Sequence, residues 1–387
     1  MCMELPTYFK DFLAEIRLQQ EHRDDLKKGH EDLRERLKAD KKLSPLIVNT
    51  FLQGSYRRST AVRPVEEKRT DVDVVVVTRI DESETPERAM AEFTPFLEEH
   101  YKDQWEPQGR SIGIELDSVE LDLVITSAPS EADQEALKSP SVGDDEELEE
   151  APDLRFVSAW VAPSERRSVT FAEAMLKRAQ EEEEWRLEPL KIPDRDVARW
   201  DPTHPLEQIK WTRDKNAGCG GHYINVVKAI KWWHRNNDKV PKYPKGYPLE
   251  HLIGVCCPDG IEGVGSGVTR SLEAIVNNYA SHYRDRRVPE FPDHGVPEHN
   301  VWHRITPEDF IGFYDHVSQA AAIARRALDA ATVRESALAW RDLFGNAFPE
   351  PPEGGDDSGG NEPSSGDRQG GFTTPAGRAE PRGGRYA

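Results

Sequence analysis

The segment Thr70–Thr78 places two aspartates inside a run of valines, and it constrains the fold more than any other part of the chain. Its composition and alternation predict a β-strand. One face would carry Val72, Val74 and Val76, and the other Asp71, Asp73, Val75 and Val77. Because unpaired carboxylates are costly to bury in such a strand, we expect the two aspartates to bind cations.

Asp71 and Asp73 are separated by one residue, so on a strand their Cα atoms lie roughly 6 to 7 Å apart on the same face. That spacing lets both carboxylates bind one or two hard cations. Magnesium accepts oxygen ligands and keeps positions for water and phosphate oxygens. Upstream, Gly54-Ser55 predicts a turn whose backbone N–H groups approach a phosphate closely. Together the two motifs predict a site for a metal-bound nucleoside triphosphate.

A two-metal site usually needs a third carboxylate from a neighbouring strand. Asp122 supplies it, because it interrupts the apolar strand predicted over residues 119–126 as Asp73 interrupts its own. Glu120 lies on the same face and is the second choice. Two magnesium ions, or manganese in their place, held about 4 Å apart can activate an attacking hydroxyl and stabilise leaving pyrophosphate.

The rest of the chain divides by pattern and composition. Residues 5–40 carry one apolar stripe at helical spacing, which predicts a single long helix. Residues 129–152 are polar and acidic and are typical of a solvated loop. After Pro189 helical patterns dominate, and beyond Phe348 the chain turns to Gly, Pro, Ser and acidic residues, which predicts a disordered tail. We therefore expect a core over residues 1–200, a helical lobe over 201–347 and a tail over 348–387.

Composition excludes several classes of protein. The formal net charge of −20 argues against generic nucleic-acid binding, which needs a basic surface to neutralise phosphates. No apolar stretch approaches the ~20 residues that cross a bilayer, and the N-terminus lacks the pattern of a signal peptide. Four cysteines form no disulfide framework, which indicates a reducing cytoplasm.

Several motifs together resemble the cGAS/DncV-like nucleotidyltransferases of bacteria. They are the sequence FLQGSYRRST that begins at Phe51, Asp71-Val-Asp73 and Glu120-Leu-Asp122. In the helical half, VKAIKWWH (residues 227–234) is similar to the "LVKHW" helix of oligoadenylate synthases, and GYPLEHL (residues 246–252) to the "SYxLExL" segment of the same relatives. The similarity covers residues 5–345, and in detail the chain, including its tail, is most similar to clade D.

This resemblance implies an α/β (α+β) core of the polymerase beta-like nucleotidyltransferase type with a mixed sheet, and an oligoadenylate-synthase-like helical lobe. It implies an enzyme that joins ATP and other NTPs into a cyclic di- or trinucleotide second messenger, with the trinucleotide favoured by the clade. The product would activate an effector in antiphage (CBASS) defence.

The resemblance also assigns residues. Asp71, Asp73 and Asp122 would hold two magnesium ions. The triphosphate and base would be held by Gln53, Gly54, Ser55, Lys228, Lys231, Gly246 and Tyr247, with Lys231 and Lys228 at the β- and γ-phosphates and Tyr247 stacked on the donor base. Gly246 stands where the family often has serine, so one phosphate hydroxyl is missing.

From the residues alone, a solvated helix face is the simpler interpretation of Lys228 and Lys231, and core packing that of Tyr247. The tail adds a partner: the resemblance implies a ubiquitin-activating-like (E1/E2) ligase that conjugates the C-terminal Ala387. Two other functions stay open. One is a nucleotidyltransferase that modifies a protein, an RNA end or a small molecule. The other is a catalytically dead nucleotide sensor or scaffold, although a sensor has no need of all three carboxylates.

Overall fold

The computed structural model describes residues 2–65, 69–128 and 189–351. The solvated loop over 129–152 and nearly all of the tail, with Ala387, lie outside these ranges. Within them, none of the helices combines the length and apolar character that crossing a membrane requires.

A mixed sheet of seven strands organises the described N-terminal half. The order is β1-β2-β5-β4-β3, with β6 pairing the end of β5 and β7 pairing β6. Strands β2 and β5 run parallel, and the other pairs run antiparallel. The strands are β1 (Ile47–Gln53), β2 (Thr70–Thr78), β3 (Trp105–Pro107), β4 (Ile112–Glu115), β5 (Val119–Ser127), β6 (Leu190–Asp194) and β7 (Arg199–Thr203).

Helices cover one face of the sheet and build the second lobe. The chain forms α1 (Pro6–Ile16), α2 (Gln20–Ala39), α3 (Gly54–Arg57), α4 (Pro86–Ala91), α5 (Thr94–His100), α6 (Pro205–Gly218), α7 (Tyr223–Arg235), α8 (Tyr247–Cys256), α9 (Val264–Arg284), α10 (Pro307–Leu328) and α11 (Val333–Phe344), followed by a 3₁₀ turn (Gly345–Ala347). The predicted α/β core with a mixed sheet and a helical lobe is confirmed.

The prediction of one helix over residues 5–40 is wrong, because the chain turns between Ile16 and Gln20. Arg17 has extended backbone angles, and its guanidinium donates to Asn225 Oδ1 at 3.1 Å. The carbonyl of Ile16, left open by the break, accepts from Arg63 N at 2.8 Å. The two helices serve different cores: α1 packs into the helical lobe, whereas α2 packs on the sheet.

Strands β6 and β7 were not predicted, because helical patterns dominate the sequence after Pro189. They form an antiparallel pair that extends the sheet from Ser127. Arg110 fixes this pair to the rest of the core, because its guanidinium binds Asp194 Oδ2 at 2.6 Å and Asp201 Oδ2 at 2.7 Å. Strand β7 also crosses residue 200, where the domain boundary was expected.

The two faces of β2 have different surroundings, as its alternation predicted. Val72, Val74 and Val76 belong to the core beneath α2, α4 and α5. Val75 and Val77 pack on the other face against residues of β1, β5, β6 and α6. The aspartates lie on this second face, at the start of β2, where the apolar packing ends and the helical lobe approaches.

Candidate active site

The parallel pairing of β2 with β5 brings the acidic residues into one patch. Asp73 is directly opposite Asp122, and Asp71 is directly opposite Glu120. Neighbouring strands lie about 4.8 Å apart, and residues in register share a face, so all four carboxylates project on the same side of the sheet. Asp71 is exposed, whereas Asp73 and Asp122 are half-buried. Residues far apart in sequence thus form one concentrated negative site.

The electrostatics of this patch favour a bound cation. Burial raises the pKa of Asp73 to about 7, and the nearby charges of Asp122 and Asp71 add to the shift. Burial likewise raises the pKa of Asp122 to about 6, with Glu120 and Asp71 contributing. The raised pKa of Asp73 means that the nearby cation, Arg58, does not offset burial and the repulsion between the carboxylates. Divalent ions would supply further positive charge, so the donor set fits a metal site.

The patch is not a closed cage of ligands. Among the described residues there is no group of three or more His, Cys, Asp or Glu side chains already arranged to hold a metal ion. Magnesium is commonly bound by one or two carboxylates together with substrate phosphates, rather than by the protein alone. The open arrangement of Asp71, Asp73 and Asp122 therefore suits an ion that arrives with a nucleotide.

Gly54 lies against the carboxylate of Asp73. Gln53, the residue before it, is in register with Asp73 across β1 and β2. Gly54 has a φ of +77°, and a Cβ placed on it would overlap Asp73 Oδ2. Only glycine allows this backbone to pass so close to the acidic patch. The turn that is predicted to cradle phosphates thus lies directly against the carboxylate of Asp73.

Ser55, the residue after Gly54, also lies beside the acidic patch. It lines a small cavity with Thr70, Asp71, Arg69 and Arg235. The backbone carbonyl of Ser55 accepts from Thr60 N at 2.9 Å, which fixes the turn after α3. The structure therefore brings Gly54, Ser55 and the aspartates together, as the sequence predicted.

The lysines of α7 are buried, so the interpretation of a solvated helix face is wrong. Lys228 is 2% exposed and Lys231 is 3% exposed. Lys231 Nζ lies 2.7 Å from Glu250 Oε1. Burial lowers the pKa of Lys231, and the Glu250 carboxylate opposes that shift. A lysine buried at the contact between lobe and core requires an anion, which Glu250 supplies in part.

Glu250 also receives groups from the core. Its Oε2 accepts from Arg58 Nε at 3.1 Å and from Thr60 Oγ1 at 2.9 Å. Burial alone would raise the pKa of Glu250, but Arg58 and Lys231 lower it to about 2. Arg58 and Glu250 both fall within the motifs quoted for the resemblance, yet sequence reasoning assigned neither of them a role. The two residues are 192 positions apart, so no local pattern in the sequence could predict their pairing.

Tyr247 begins α8 and lines a cavity of about 600 Å³ between the sheet and the lobe. Arg110 and Asp293 line the same cavity. The Arg58 guanidinium lies 5.1 Å from the centre of the Tyr247 ring, a cation–π distance that orients the ring. Gly246 precedes it with a φ of +60° and leaves open space where a side chain would stand. The ring is thus half-buried at a cavity wall rather than enclosed in the core.

Ser111 is a further residue that the sequence did not single out. Its hydroxyl lies 3.4 Å from Asp122 Oδ1, at the edge of hydrogen-bond distance, and this contact lowers the pKa that burial raises. No motif marked it, because its relation to Asp122 depends on the antiparallel pairing of β4 with β5.

Comparison with known proteins places this site in context. Residues 3–131 match the family described as the Second Messenger Oligonucleotide or Dinucleotide Synthetase domain. A probable cyclic AMP-AMP-GMP nucleotide synthase of Salmonella paratyphi B is 47% identical over 393 residues and covers 100% of both chains. A cyclic AMP-AMP-GMP synthase of Enterobacter hormaechei subsp. hoffmannii is 46% identical, again over 100% of both chains.

A solved structure supports the same fold. The nucleotidyltransferase CdnG of Bradyrhizobium diazoefficiens, determined in complex with GTP, superposes with a TM-score of 0.60 over 88% of this chain and 94% of its own, at 12% identity. At that identity the likeness concerns the fold alone.

Proposed function

This chain belongs to the cyclic oligonucleotide synthases of the cGAS/DncV-like nucleotidyltransferase family, and from this premise we propose that its product is a cyclic trinucleotide of two AMP units and one GMP unit. The two full-length relatives near 47% identity carry that product in their names. Membership also makes the chain an enzyme that uses nucleotide substrates, so a sensor or scaffold without activity is not supported. A transferase acting on a protein, an RNA end or a small molecule is not supported either.

The pairing of Asp73 with Asp122 in adjacent parallel strands is the observation that carries the proposed mechanism. Enzymes of this family depend on divalent metal ions. We assign two magnesium ions, or manganese, to Asp71, Asp73 and Asp122. When bound, they would supply charge neutralisation for the attacking hydroxyl and the leaving pyrophosphate. The three carboxylates would hold the metal ions at one end of the sheet, and Gly54 allows the phosphate-binding turn to approach those ions.

The nucleotide would lie between the turn and the helical lobe. Gln53, Gly54 and Ser55 present the turn to the triphosphate from the side of the core. Lys228 and Lys231 approach from α7 and offset the negative charge of the β- and γ-phosphates. Gly246 leaves room at the start of α8, and the Tyr247 ring, held by Arg58, forms a wall on which a base can stack. Each nucleotidyl transfer joins a ribose hydroxyl to an α-phosphate and releases pyrophosphate.

Omission of single nucleotides tests the product. The protein would be incubated with all four NTPs and magnesium, and then with each NTP left out, and small products would be identified by mass spectrometry. We expect a cyclic trinucleotide that requires ATP and GTP and is unaffected by omission of CTP or UTP. A product that forms without GTP would contradict the proposed composition.

The cellular role follows from the family. We propose that the product activates an effector protein in antiphage defence, and that an E1/E2-like ligase conjugates Ala387 to a target. Support for the ligase partner is the family resemblance and the Gly-rich sequence before Ala387. Deleting Ala387 and probing cells for conjugates tests the second part. Conjugates that persist unchanged in the deletion variant would refute it.

A further inference from the structure

The carboxylate of Glu250 connects the phosphate-binding turn to two helices of the lobe. It lies in the first turn of α8, three residues after Tyr247, and is 3% exposed. One oxygen binds Lys231 of α7 at 2.7 Å, and the other binds Arg58, just after α3, at 3.1 Å. The Thr60 hydroxyl also donates a hydrogen bond to this second oxygen, at 2.9 Å. Both oxygens are therefore occupied, each by a different part of the molecule.

The network is unbalanced in charge. Two buried cations, Arg58 and Lys231, share the single anion Glu250. A purely structural buried ion pair gains most when its charges cancel, because uncompensated charge in a desolvated site is costly. Asp73 also lies close enough to Arg58 to influence its pKa, but that carboxylate is itself assigned to the metal ions. Arg58, and with it part of the surplus positive charge, therefore lies near the acidic patch beside which we place the polyphosphate.

We propose that Glu250 is a positioning residue for nucleotidyl transfer, which holds Lys231 charged and directed at the polyphosphate and fixes Arg58 beneath the ring of Tyr247. This inference rests on the proposed triphosphate site and extends it by one residue that does not touch the substrate. It assigns the carboxylate a role in substrate binding in addition to any contribution to folding.

The surroundings of Lys231 explain why the carboxylate is needed. Burial, Arg235 on its own helix and Arg58 from the core all lower the pKa of Lys231, and Glu250 from α8 raises it. Replacing Glu250 by glutamine removes the group that raises the pKa and leaves those that lower it. Lys231 would then lose its proton at a lower pH than in the wild type, and with it the charge that attracts phosphates.

Binding of α,β-methylene-ATP with magnesium, measured by calorimetry from pH 6.5 to 9, tests this reasoning without requiring catalysis. We expect the affinity of Glu250→Gln for the nucleotide to fall at least about tenfold between pH 7 and pH 9. A tenfold change is expected if nucleotide binding raises the pKa of Lys231 by about one unit. The wild type should change by less than about threefold. Adding Lys231→Arg to Glu250→Gln should remove the pH dependence, since arginine stays charged.

Glu273→Gln is the control away from the site, because it breaks another Glu–Arg pair between two helices of the lobe, with Arg325 at 2.7 Å, which is more exposed than the Glu250 network. This variant should bind as the wild type does. A folded Glu250→Gln variant whose affinity follows the wild-type pH profile would overturn the inference. If that variant does not fold, Glu250→Asp decides: it keeps the charge but shortens the reach, and we expect about tenfold weaker binding. Wild-type affinity in a folded Glu250→Asp protein would overturn the inference, whereas a wild type that binds no nucleotide would overturn the proposed function itself.

Discussion

Substitution of Gly54 by alanine tests whether this glycine is needed for catalysis or only for the stability of the protein. The new Cβ would overlap Asp73 Oδ2, which would have to retreat by about 2 Å to reach an ordinary van der Waals separation. Misplacement of a catalytic group by about 1 Å can cost about 100-fold in rate. We therefore expect Gly54→Ala to lower kcat/KM by about 100-fold or more.

A second effect of this substitution is strain in the backbone. The φ of +77° at Gly54 costs a non-glycine residue about 1–2 kcal/mol. At about 2.1 cal/mol/K of unfolding entropy per residue, that corresponds to a loss of roughly 1–3 °C in Tm for a chain of 387 residues. Gly260→Ala is the matched control, because Gly260 has a φ of +69° but open space around its Cβ position. It should lose similar stability and keep its activity.

The assay is steady-state pyrophosphate release at saturating magnesium, with thermal melting of both variants alongside. We expect two variants of similar Tm, of which only Gly54→Ala shows the loss of kcat/KM by about 100-fold or more. Equal activity of the two variants would refute the argument, because backbone strain alone would then account for every effect of the substitution.

Two further predictions follow from the same site. Without metal, the pKa of Asp73 is raised from its ordinary value of 3.8 to about 7 in the folded protein. The stability that the protonated carboxyl contributes is therefore full below about pH 4 and is lost as the pH rises from about 4 to about 7. At pH 8 in EDTA, Asp73→Asn should melt above the wild type, and a lower Tm would contradict this. Tyr247→Phe keeps the ring beside Arg58 and should leave KM for ATP within about threefold, whereas Tyr247→Leu loses base stacking of about 1–3 kcal/mol and should raise KM about 5- to 150-fold. Equal KM values for the two Tyr247 variants would exclude stacking.

The acidic strands could be predicted because their signal is local. In β2 the alternation of valines with aspartates fixes both the strand and its faces, and the observed bounds match the predicted ones. Asp122 could be added because it interrupts an apolar run in the same way. Which carboxylates meet depends on the parallel register of β2 with β5, which the sequence alone did not specify.

Other features depend on packing that a local pattern does not encode. Apolar residues continue at helical spacing on both sides of Arg17, so the sequence predicts one helix. The two halves are buried in different cores, and the helix therefore breaks at Arg17. Lys231 looked like a surface lysine because its partner Glu250 lies on the next helix. Strands β6 and β7 were missed because their short segments form a sheet only through β5 and Arg110.

The central claim is that Asp71 and Asp73 bind the metal ions on which nucleotidyl transfer depends. Its most direct test compares the wild type with the double variant Asp71→Asn and Asp73→Asn, incubated with labelled ATP and GTP in magnesium, with products separated and identified by mass. We expect the wild type to form a cyclic product with release of pyrophosphate. The folded double variant should form less than about 1% as much, since loss of the metal ions removes several kcal/mol of transition-state stabilisation. Product formation by the double variant within tenfold of the wild-type rate would contradict the account.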